Sequence, residues 1–430
     1  MLIQLKNVRL IHQTSPLHNH LVNITVSDGV VTEIEKKGKA GKTAKSEIFQ
    51  DGLLIESAND VCVSLGWVDV LADYCEPGYE HKETLASGIA TAAAAGFTDV
   101  FVAPNTKPAT ANKSSVQFIK EQANSAAIRL HPLGAVTQNI EGTSLAEMMD
   151  MRSAGAIAFS DGWKPVQNAG LLAKALEYVK AFKGCIIQIP VDQSLSSGGL
   201  MNESDVSTSM GMPGIPYLAE TLIVHRDLEL LKYTDSKLHI TGISTAESVD
   251  MVRKAKANGL NVTCSVSPYH LIFTEEILRK YDATYKVNPP LRSETDRVAL
   301  AEGVKDGTID CIASHHRPQD WDAKVKEFEY ALEGIAMQES MFPALWHHLH
   351  QNLPVETLVA TLSTNPNRIF NIENQISVGN EACLTLFTTS ETTNKQSIKS
   401  KAFNNPCKGM ELKGKVLGII NKHKIVLNGR

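Results

Sequence analysis

The chain has 430 residues, of which 43% are hydrophobic and 21% are charged, and its formal net charge is −5. This length and composition fit one large globular domain together with a smaller one. No block of basic residues marks a nucleic-acid or anionic-membrane surface, and no run of ~18 apolar residues would cross a membrane. We therefore expect no nucleic-acid partner and no membrane insertion.

Seven cysteines are scattered along the chain without a CxxC pair: Cys62, Cys75, Cys185, Cys264, Cys311, Cys383 and Cys407. An odd number of distant cysteines, mostly inside apolar runs, is typical of buried thiols in a reducing compartment. The N-terminal residues MLIQLKNVRLIH also lack the basic segment and long apolar core of a secretory signal. The sequence therefore predicts a cytoplasmic protein.

Both ends of the chain carry β patterns. Residues 1–58 contain short apolar segments, and Asp28–Gly29 is a hairpin signal between two of them. After Ile372 the pattern returns to β, over residues 382–388, 416–420 and 423–427. We expect the two ends to pair in one small β-sandwich.

Between about Val61 and Ile372, apolar strands alternate with helical patterns. The predicted strands are 62–70, 97–103, 127–135, 155–159, 185–190, 237–243, 260–266 and 309–314. Eight strands with following helices in roughly 250 to 300 residues are typical of a (β/α)8 TIM-type barrel. The predicted fold is therefore α/β, a barrel over residues 59–372 with a β-sandwich formed by residues 1–58 and 373–430.

The stretch Gly66–Gly78, GWVDVLADYCEPG, has the form of a buried strand that breaks into a polar turn. Chemistry in β/α barrels lies at the C-terminal ends of the strands, so an active site should begin near residue 71. Leu71, Asp73 and Cys75 stand there instead of an obvious catalytic group.

Nine phrases of the barrel region follow one another in a recognisable order. They are EPGYEHKETLASGIATAAAAGFTDVFVAPNTKP (76–108), GAIAFSDG (155–162), MNES (201–204), GMPGIPYLAE (211–220), HITGISTAESV (239–249), SPYHL (267–271), YKVNPPLRSE (285–294), DGTIDCIASHH (306–316) and NPNRIFNI (365–372). Together they resemble dihydroorotase, a metal-dependent cyclic amidohydrolase of pyrimidine synthesis. The resemblance spans about residues 70–430, and it implies a barrel with a split β-sandwich.

The resemblance also implies a metal centre, usually zinc, that polarises the amide and generates hydroxide near neutral pH. In the family a His-x-His pair and a substrate-binding Arg follow the first strand, and these positions are Leu71, Asp73 and Cys75 here. The fourth-strand carboxylate is retained as Asp161. The expected histidine near the end of the fifth strand is Ile189.

The remaining family positions also differ. The histidine expected after the sixth strand is Gly242, and the family's Thr-Asp-His at the eighth strand is Ser314-His315-His316. His315 therefore stands at the position of the catalytic aspartate. Zinc needs about three or four N, O or S donors. We expect no catalytic residue and no metal cofactor at the degenerate positions Leu71, Asp73, Asp161, Ile189, Gly242 and His315.

Some substrate contacts of the family are present as vestiges. The resemblance places Asn105, Asn288 and His316 near the substrate. Cys75 in place of Arg removes a bidentate carboxylate partner, a loss of roughly 1.5–3 kcal/mol.

Two interpretations of the polar residues at the strand ends stay open from the sequence. Asp69, Asp73 and Asp161 are either metal ligands or structural turn residues. The pair His315–His316 either binds a metal ion or another ligand, or only lines a polar cleft.

Two functions follow. The first is a noncatalytic dihydroorotase homologue that acts as an assembly or regulatory partner of aspartate transcarbamoylase, as noncatalytic relatives do, and that forms a homo-oligomer. The alternative is an active zinc-dependent dihydroorotase, or another cyclic amidohydrolase, with an unusual metal set.

Overall fold

The computed structural model describes residues 1–39, 45–393 and 398–428. The strands in these ranges are β1 Leu2–Leu10, β2 His20–Ser27, β3 Val30–Lys39, β4 Lys45–Gln50, β5 Leu53–Asn59, β6 Val61–Leu65, β7 Trp67–Ala72, β8 Phe97–Val102, β9 Arg129–Gly134, β10 Ala158–Phe159, β11 Ile186–Gln188, β12 Met201–Asn202, β13 Gly214–Ile215, β14 Leu238–Thr241, β15 Val262–Val266, β16 Cys311–Ile312, β17 Cys383–Thr392, β18 Lys413–Asn421 and β19 Lys424–Leu427.

The α-helices in the same ranges are α1 Leu85–Ala95, α2 Lys113–Gln122, α3 Met148–Ala154, α4 Ala169–Lys180, α5 Gln193–Ser196, α6 Asp205–Met210, α7 Leu218–Thr234, α8 Ala246–Ala257, α9 Pro268–Ile272, α10 Glu294–Lys305, α11 Trp321–Lys324, α12 Met341–Leu349, α13 Val355–Leu362 and α14 Thr364–Phe370. Short 3-10 turns lie at Gln138–Ile140, Glu275–Lys280 and Ala283–Tyr285. Among the described residues, no helix is long and apolar enough to span a membrane.

Eight parallel strands form a barrel, with each strand beside the next in chain order: β7, β8, β9, β10, β11, β14, β15 and β16. The two edge strands meet through a bridge between Ala72 and His316. The Asp73 amide also donates to the His316 carbonyl at 2.8 Å. The predicted (β/α)8 architecture is confirmed.

Local sequence signals set the helix ends. Helix α1 begins after Thr84, whose extended backbone lets its side chain accept the Ser87 amide, and it ends at Gly96 with φ of +92°. The helix therefore starts at Leu85, because Thr84 serves as the cap.

Both chain ends build one nine-stranded sheet in the order β19-β18-β17-β6-β1-β2-β3, with β4 joined to β1 and β5 to β4. Its apolar faces enclose a separate core that includes Ile3, Ile24, Leu384 and Leu417. The predicted pairing of the two ends is confirmed.

The predicted strand 62–70 is two strands. Residues Val61–Leu65 belong to the end sheet, which thus continues beyond the predicted boundary at residue 58, while Trp67–Ala72 opens the barrel. Gly66 connects the end sheet to the barrel. Only glycine fits there, because a Cβ would lie 2.1 Å from Thr98 Oγ1. Every residue on either side is buried, so the apolar pattern shows no break.

Candidate functional site

The interior of the barrel is apolar up to the ends of the strands. Leu71 and Ile189 belong to one buried cluster with Phe101, Leu133 and Ile187. Leu71 has no exposed surface and Ile189 is 2% exposed. Two of the four positions at which the resemblance leads us to expect imidazoles are therefore part of the hydrophobic core.

The carboxylate of Asp161 is held by the loop that follows β9. Its Oδ1 accepts the amides of Val136 at 2.8 Å and Thr137 at 3.0 Å, and its Oδ2 accepts the Thr137 hydroxyl. Burial raises the pKa of Asp161 to about 6, although these hydrogen bonds oppose the shift. Asp161 thus braces two adjacent strand ends.

Asp69 has a similar bracing role. Its Oδ1 accepts the Ser314 amide at 2.9 Å and its Oδ2 accepts Gln338 Nε2 at 2.7 Å. The Gln338 side chain in turn accepts the Tyr74 hydroxyl at 3.0 Å. Asp69 therefore joins the first and last strands of the barrel, and burial raises its pKa.

His315 fills the space beside Gly242. Gly242 has φ of +80°, and a Cβ added to it would lie 2.5 Å from His315 Cε1. His315 Nε2 lies 2.8 Å from the Thr241 hydroxyl, and its ring meets the indole of Trp163 edge-on at 5.7 Å. Burial lowers the pKa of His315 to about 3, so the imidazole is neutral at pH 7. A side chain at position 242 would collide with the His315 ring in this position.

The Gly242→Ala substitution should therefore lower the free energy of unfolding by about 2–4 kcal/mol, because it combines backbone strain with a collision. Gly259→Ala is the matched control, since Gly259 also has φ of +80° but no atom within 4 Å of its Cβ position. Denaturant unfolding should give a loss of only about 1 kcal/mol for the control. Equal losses for the two variants would contradict the packing of His315 against residue 242.

Trp163 covers the mouth of the barrel. Its Nε1 donates to Asp73 Oδ2 at 3.1 Å, its backbone amide donates to Asn105 Oδ1 at 3.1 Å, and the Arg317 guanidinium lies 4.8 Å from the centre of its ring. Its side chain also packs on the apolar interior cluster. Sequence reasoning missed Trp163, although it directly follows the SDG phrase that contains Asp161.

Cys75 closes the turn after β7. Its amide donates to Asp73 Oδ1 at 2.9 Å, and its backbone has φ of +61°. Burial raises the pKa of the Cys75 thiol, with the negative charge of Asp73 adding to the shift. A protonated thiol is a poor nucleophile.

The three predicted substrate contacts, Asn105, His316 and Asn288, have different surroundings. Asn105 lines the mouth and donates from Nδ2 to the Asp161 carbonyl at 3.0 Å. His316 is buried, and its Nε2 lies 3.5 Å from Glu83 Oε2. Asn288 precedes a cis proline, and its Oδ1 is buried without a hydrogen-bond partner among the described residues.

Glu83 is a second residue that sequence reasoning missed. Burial opposes its ionisation, but contacts with His316, Ser400 and Ser87 hold its pKa below the usual value. Ser400 lies 317 residues away in the chain, so no local pattern could reveal this pairing.

A cleft of about 640 Å³ remains above Trp163. Side chains of both charges line it, including Asp73, Lys82, Arg317 and Glu333. Arg317 is already paired with Glu333 at 3.3 Å. The volume of the cleft is that of a small-molecule site, but its lining favours neither a cationic nor an anionic ligand.

The zinc ion that the resemblance implies does not fit these residues. Leu71 and Ile189 have no donor atoms, the Asp161 oxygens accept hydrogen bonds, and His315 is bonded to Thr241 through Nε2. No group of three or more His, Cys, Asp or Glu side chains is arranged to hold a metal ion in residues 1–39, 45–393 and 398–428. Zinc would supply an activated water at this mouth, but these residues do not form its ligand set.

Comparison with known proteins decides the ancestry. A family model described as "Dihydro-orotase-like" matches residues 61–248. A dihydroorotase from Pelotomaculum thermopropionicum is 38% identical over 94% of this chain and 97% of its own length, and one from Desulforapulum autotrophicum is 34% identical over 99% of each chain. The chain belongs to the dihydroorotase family.

Solved structures show the same fold at lower identity. An L-hydantoinase from Arthrobacter aurescens has a TM-score of 0.81 over 98% of this chain and 95% of that protein, with 21% identity. A dihydropyrimidinase from Brevibacillus agri has a TM-score of 0.80 over 100% and 95%, with 19% identity. This likeness confirms the barrel with its sheet from both chain ends.

The phrases through which the sequence resembles dihydroorotase build a buried polar frame behind the mouth. Glu220 Oε1 accepts the amides of Ser244 at 2.8 Å and Thr245 at 3.0 Å, and its Oε2 lies 3.6 Å from Arg292 Nη2. Arg292 also donates to Asn202 Oδ1 at 2.7 Å. These side chains come from the MNES, GMPGIPYLAE, HITGISTAESV and YKVNPPLRSE phrases. Residues from four of these phrases therefore form one connected buried network.

Proposed function

We propose that this chain is a noncatalytic member of the dihydroorotase family that acts as an assembly or regulatory partner of aspartate transcarbamoylase. The observation that carries the proposal is the packing of His315 into the space beside Gly242. Position 242 is where the resemblance implies a metal ligand. His315, which stands in place of the family's catalytic aspartate, fills the space that a side chain at position 242 would need.

The chemistry of the mouth supports catalytic silence. Hydrolysis of a cyclic amide requires an activated water and a group to protonate the leaving nitrogen. The neutral His315 is bonded to Thr241, and the Asp161 carboxylate is bonded to Val136 and Thr137. Neither side chain lines the cleft, so neither is placed to take a proton from a water held there.

The buried network around Glu220 and Arg292 supports a structural role for the barrel outside its mouth. The Glu220–Arg292 network is buried and holds the segment that contains Asn202 against the barrel. Noncatalytic relatives are expected, from the family resemblance, to assemble with the transcarbamoylase. The proposal includes a homo-oligomer in this complex and a cytoplasmic location, and only the location is supported by the composition and the scattered cysteines.

Co-expression with the aspartate transcarbamoylase catalytic chain of the same organism tests the partnership. We expect one complex by size-exclusion chromatography with light scattering, and a higher transcarbamoylase rate in the complex than for the catalytic chain alone. A catalytically active dihydroorotase from another species is the control for non-specific capture. Two separate species at micromolar concentration, with an unchanged rate, would exclude the partnership.

The second candidate function is an active dihydroorotase or another cyclic amidohydrolase. The 640 Å³ cleft with Asn105 on its wall is the observation in its favour. This function requires metal-dependent turnover that His315→Ala abolishes.

A further inference from the structure

A second polar groove lies at the opposite end of the barrel, where its strands begin. Strand β9 starts there at Arg129, and its six residues carry the chain roughly 20 Å to the mouth. Two adjoining cavities, of about 340 and 760 Å³, share Arg129 and Asn421 as lining residues. We call them together the seam groove, because they lie where the barrel meets the end sheet.

The smaller cavity is basic. It is lined by Lys120, Arg129, His131, Lys422, His423 and Lys424, and no acidic side chain is among its described lining residues. Arg129 and His131 both contact the fully buried Asp99, at 2.8 Å and 2.7 Å. That carboxylate fixes the two side chains in place. The amine of Lys120, at the end of α2, has no carboxylate within 4 Å among the described residues.

The larger cavity is rich in side-chain amides. Its lining includes Asn367, Asn371, Asn374, Gln375 and Asn380, together with Arg368, Glu373 and Glu381. Arg129 reaches into it and donates to Asn374 Oδ1 at 2.7 Å. Carboxamides present both donors and acceptors, which is how proteins read the edge of a heterocycle.

Two buried amide atoms in the seam groove lack partners among the described residues. They are Nδ2 of Asn367, a donor, and Oδ1 of Asn421, an acceptor. Asn367 is 6% exposed and Asn421 is 7% exposed. Buried polar atoms are normally hydrogen-bonded, so these two residues, which both line the groove, carry unused hydrogen-bonding capacity beside it.

We propose that the seam groove binds a nucleotide, with its phosphates against the basic cavity and its base and ribose against the amide cavity. Phosphate chemistry follows from Lys120, which has no carboxylate partner among the described residues, beside Arg129 and Lys422, which also pair with Asp99 and with Glu381 at 3.1 Å. The heterocycle follows from the amide side chains that line the larger cavity, Asn367 among them. The site is separate from the mouth, so it does not depend on whether the mouth is catalytic.

Calorimetric titration of the full chain with ATP, UTP, pyrophosphate and uridine tests the proposal. At least one of the two triphosphates should bind with a dissociation constant below about 1 mM and more tightly than pyrophosphate or uridine. Lys120→Glu should weaken binding ~10-fold or more, because it reverses a charge at the phosphates. Lys113→Glu, in the first turn of the same helix, is the matched control and should have no effect.

Two further variants locate the ligand. Asn367→Ala should weaken triphosphate binding but leave pyrophosphate binding unchanged, and Lys82→Glu, at the mouth, should change neither. The proposal is overturned if neither triphosphate shows saturable binding, or if pyrophosphate binds as tightly as the triphosphates. Equal effects of Lys120→Glu and Lys113→Glu, or loss of binding in Lys82→Glu, would also overturn it.

Discussion

The Glu220→Ala variant should lose about 3–5 kcal/mol of free energy of unfolding, because it leaves Arg292 charged and buried without its carboxylate. Both side chains are at most 3% exposed. The substitution also removes the acceptor for the amides of Ser244 and Thr245. Burial already lowers the pKa of Arg292 despite the nearby Glu220 charge, which indicates how much this guanidinium depends on its partner.

Urea unfolding, followed by circular dichroism, measures this loss. Glu229→Ala is the matched control, because Glu229 is exposed on the same helix α7 and its replacement should change stability by less than about 0.5 kcal/mol. A Glu220→Gln/Arg292→Met double variant should lose less than the single Glu220→Ala variant, since no unpaired charge remains. If Glu220→Ala is as stable as Glu229→Ala, the shared phrases do not hold the frame together.

The Leu71→His variant, which replaces a core leucine with an imidazole, should lose about 3–5 kcal/mol. The leucine is fully buried in the apolar interior cluster, and the imidazole has no polar partner there. The buried imidazole would be neutral, with a pKa below that of the unfolded chain. Stability should therefore fall further as the pH drops through about 6.5, where the unfolded state takes up the proton.

Thermal and urea unfolding at pH 8 and pH 6 test this prediction. Leu71→Met is the control, since a volume-conserving apolar change costs less than about 1.5 kcal/mol and adds no pH dependence. A Leu71→His protein that keeps its stability and binds zinc would contradict it. That result would mean that a donor set exists around position 71.

Much of the architecture was predictable because the alternation of apolar strands and helices extends over the whole barrel. The break inside the predicted strand 62–70 was not, because the strands on both sides of Gly66 are buried and give the same pattern. Only the contacts of Gly66 with Thr98 and Cys383, far along the chain, show where the sheet ends and the barrel begins.

The candidate site could likewise be predicted only in part from the sequence. The lack of donor atoms at Leu71 and Ile189 is visible in their side-chain chemistry. The role of Asp161 stayed open in the sequence, because it depends on the amides of Val136 and Thr137 from another strand end. The packing of His315 against Gly242 joins residues 73 positions apart through shape alone, so no spacing rule predicts it.

The protein's metal content and its turnover of dihydroorotate, measured on one preparation purified without chelators, test the central claim most directly. We expect elemental analysis to give far less than one zinc, manganese or cobalt ion per chain. Ring opening should stay at the uncatalysed rate when each metal is added. About one tightly bound ion per chain, together with turnover that disappears when the metal is removed, would contradict the account.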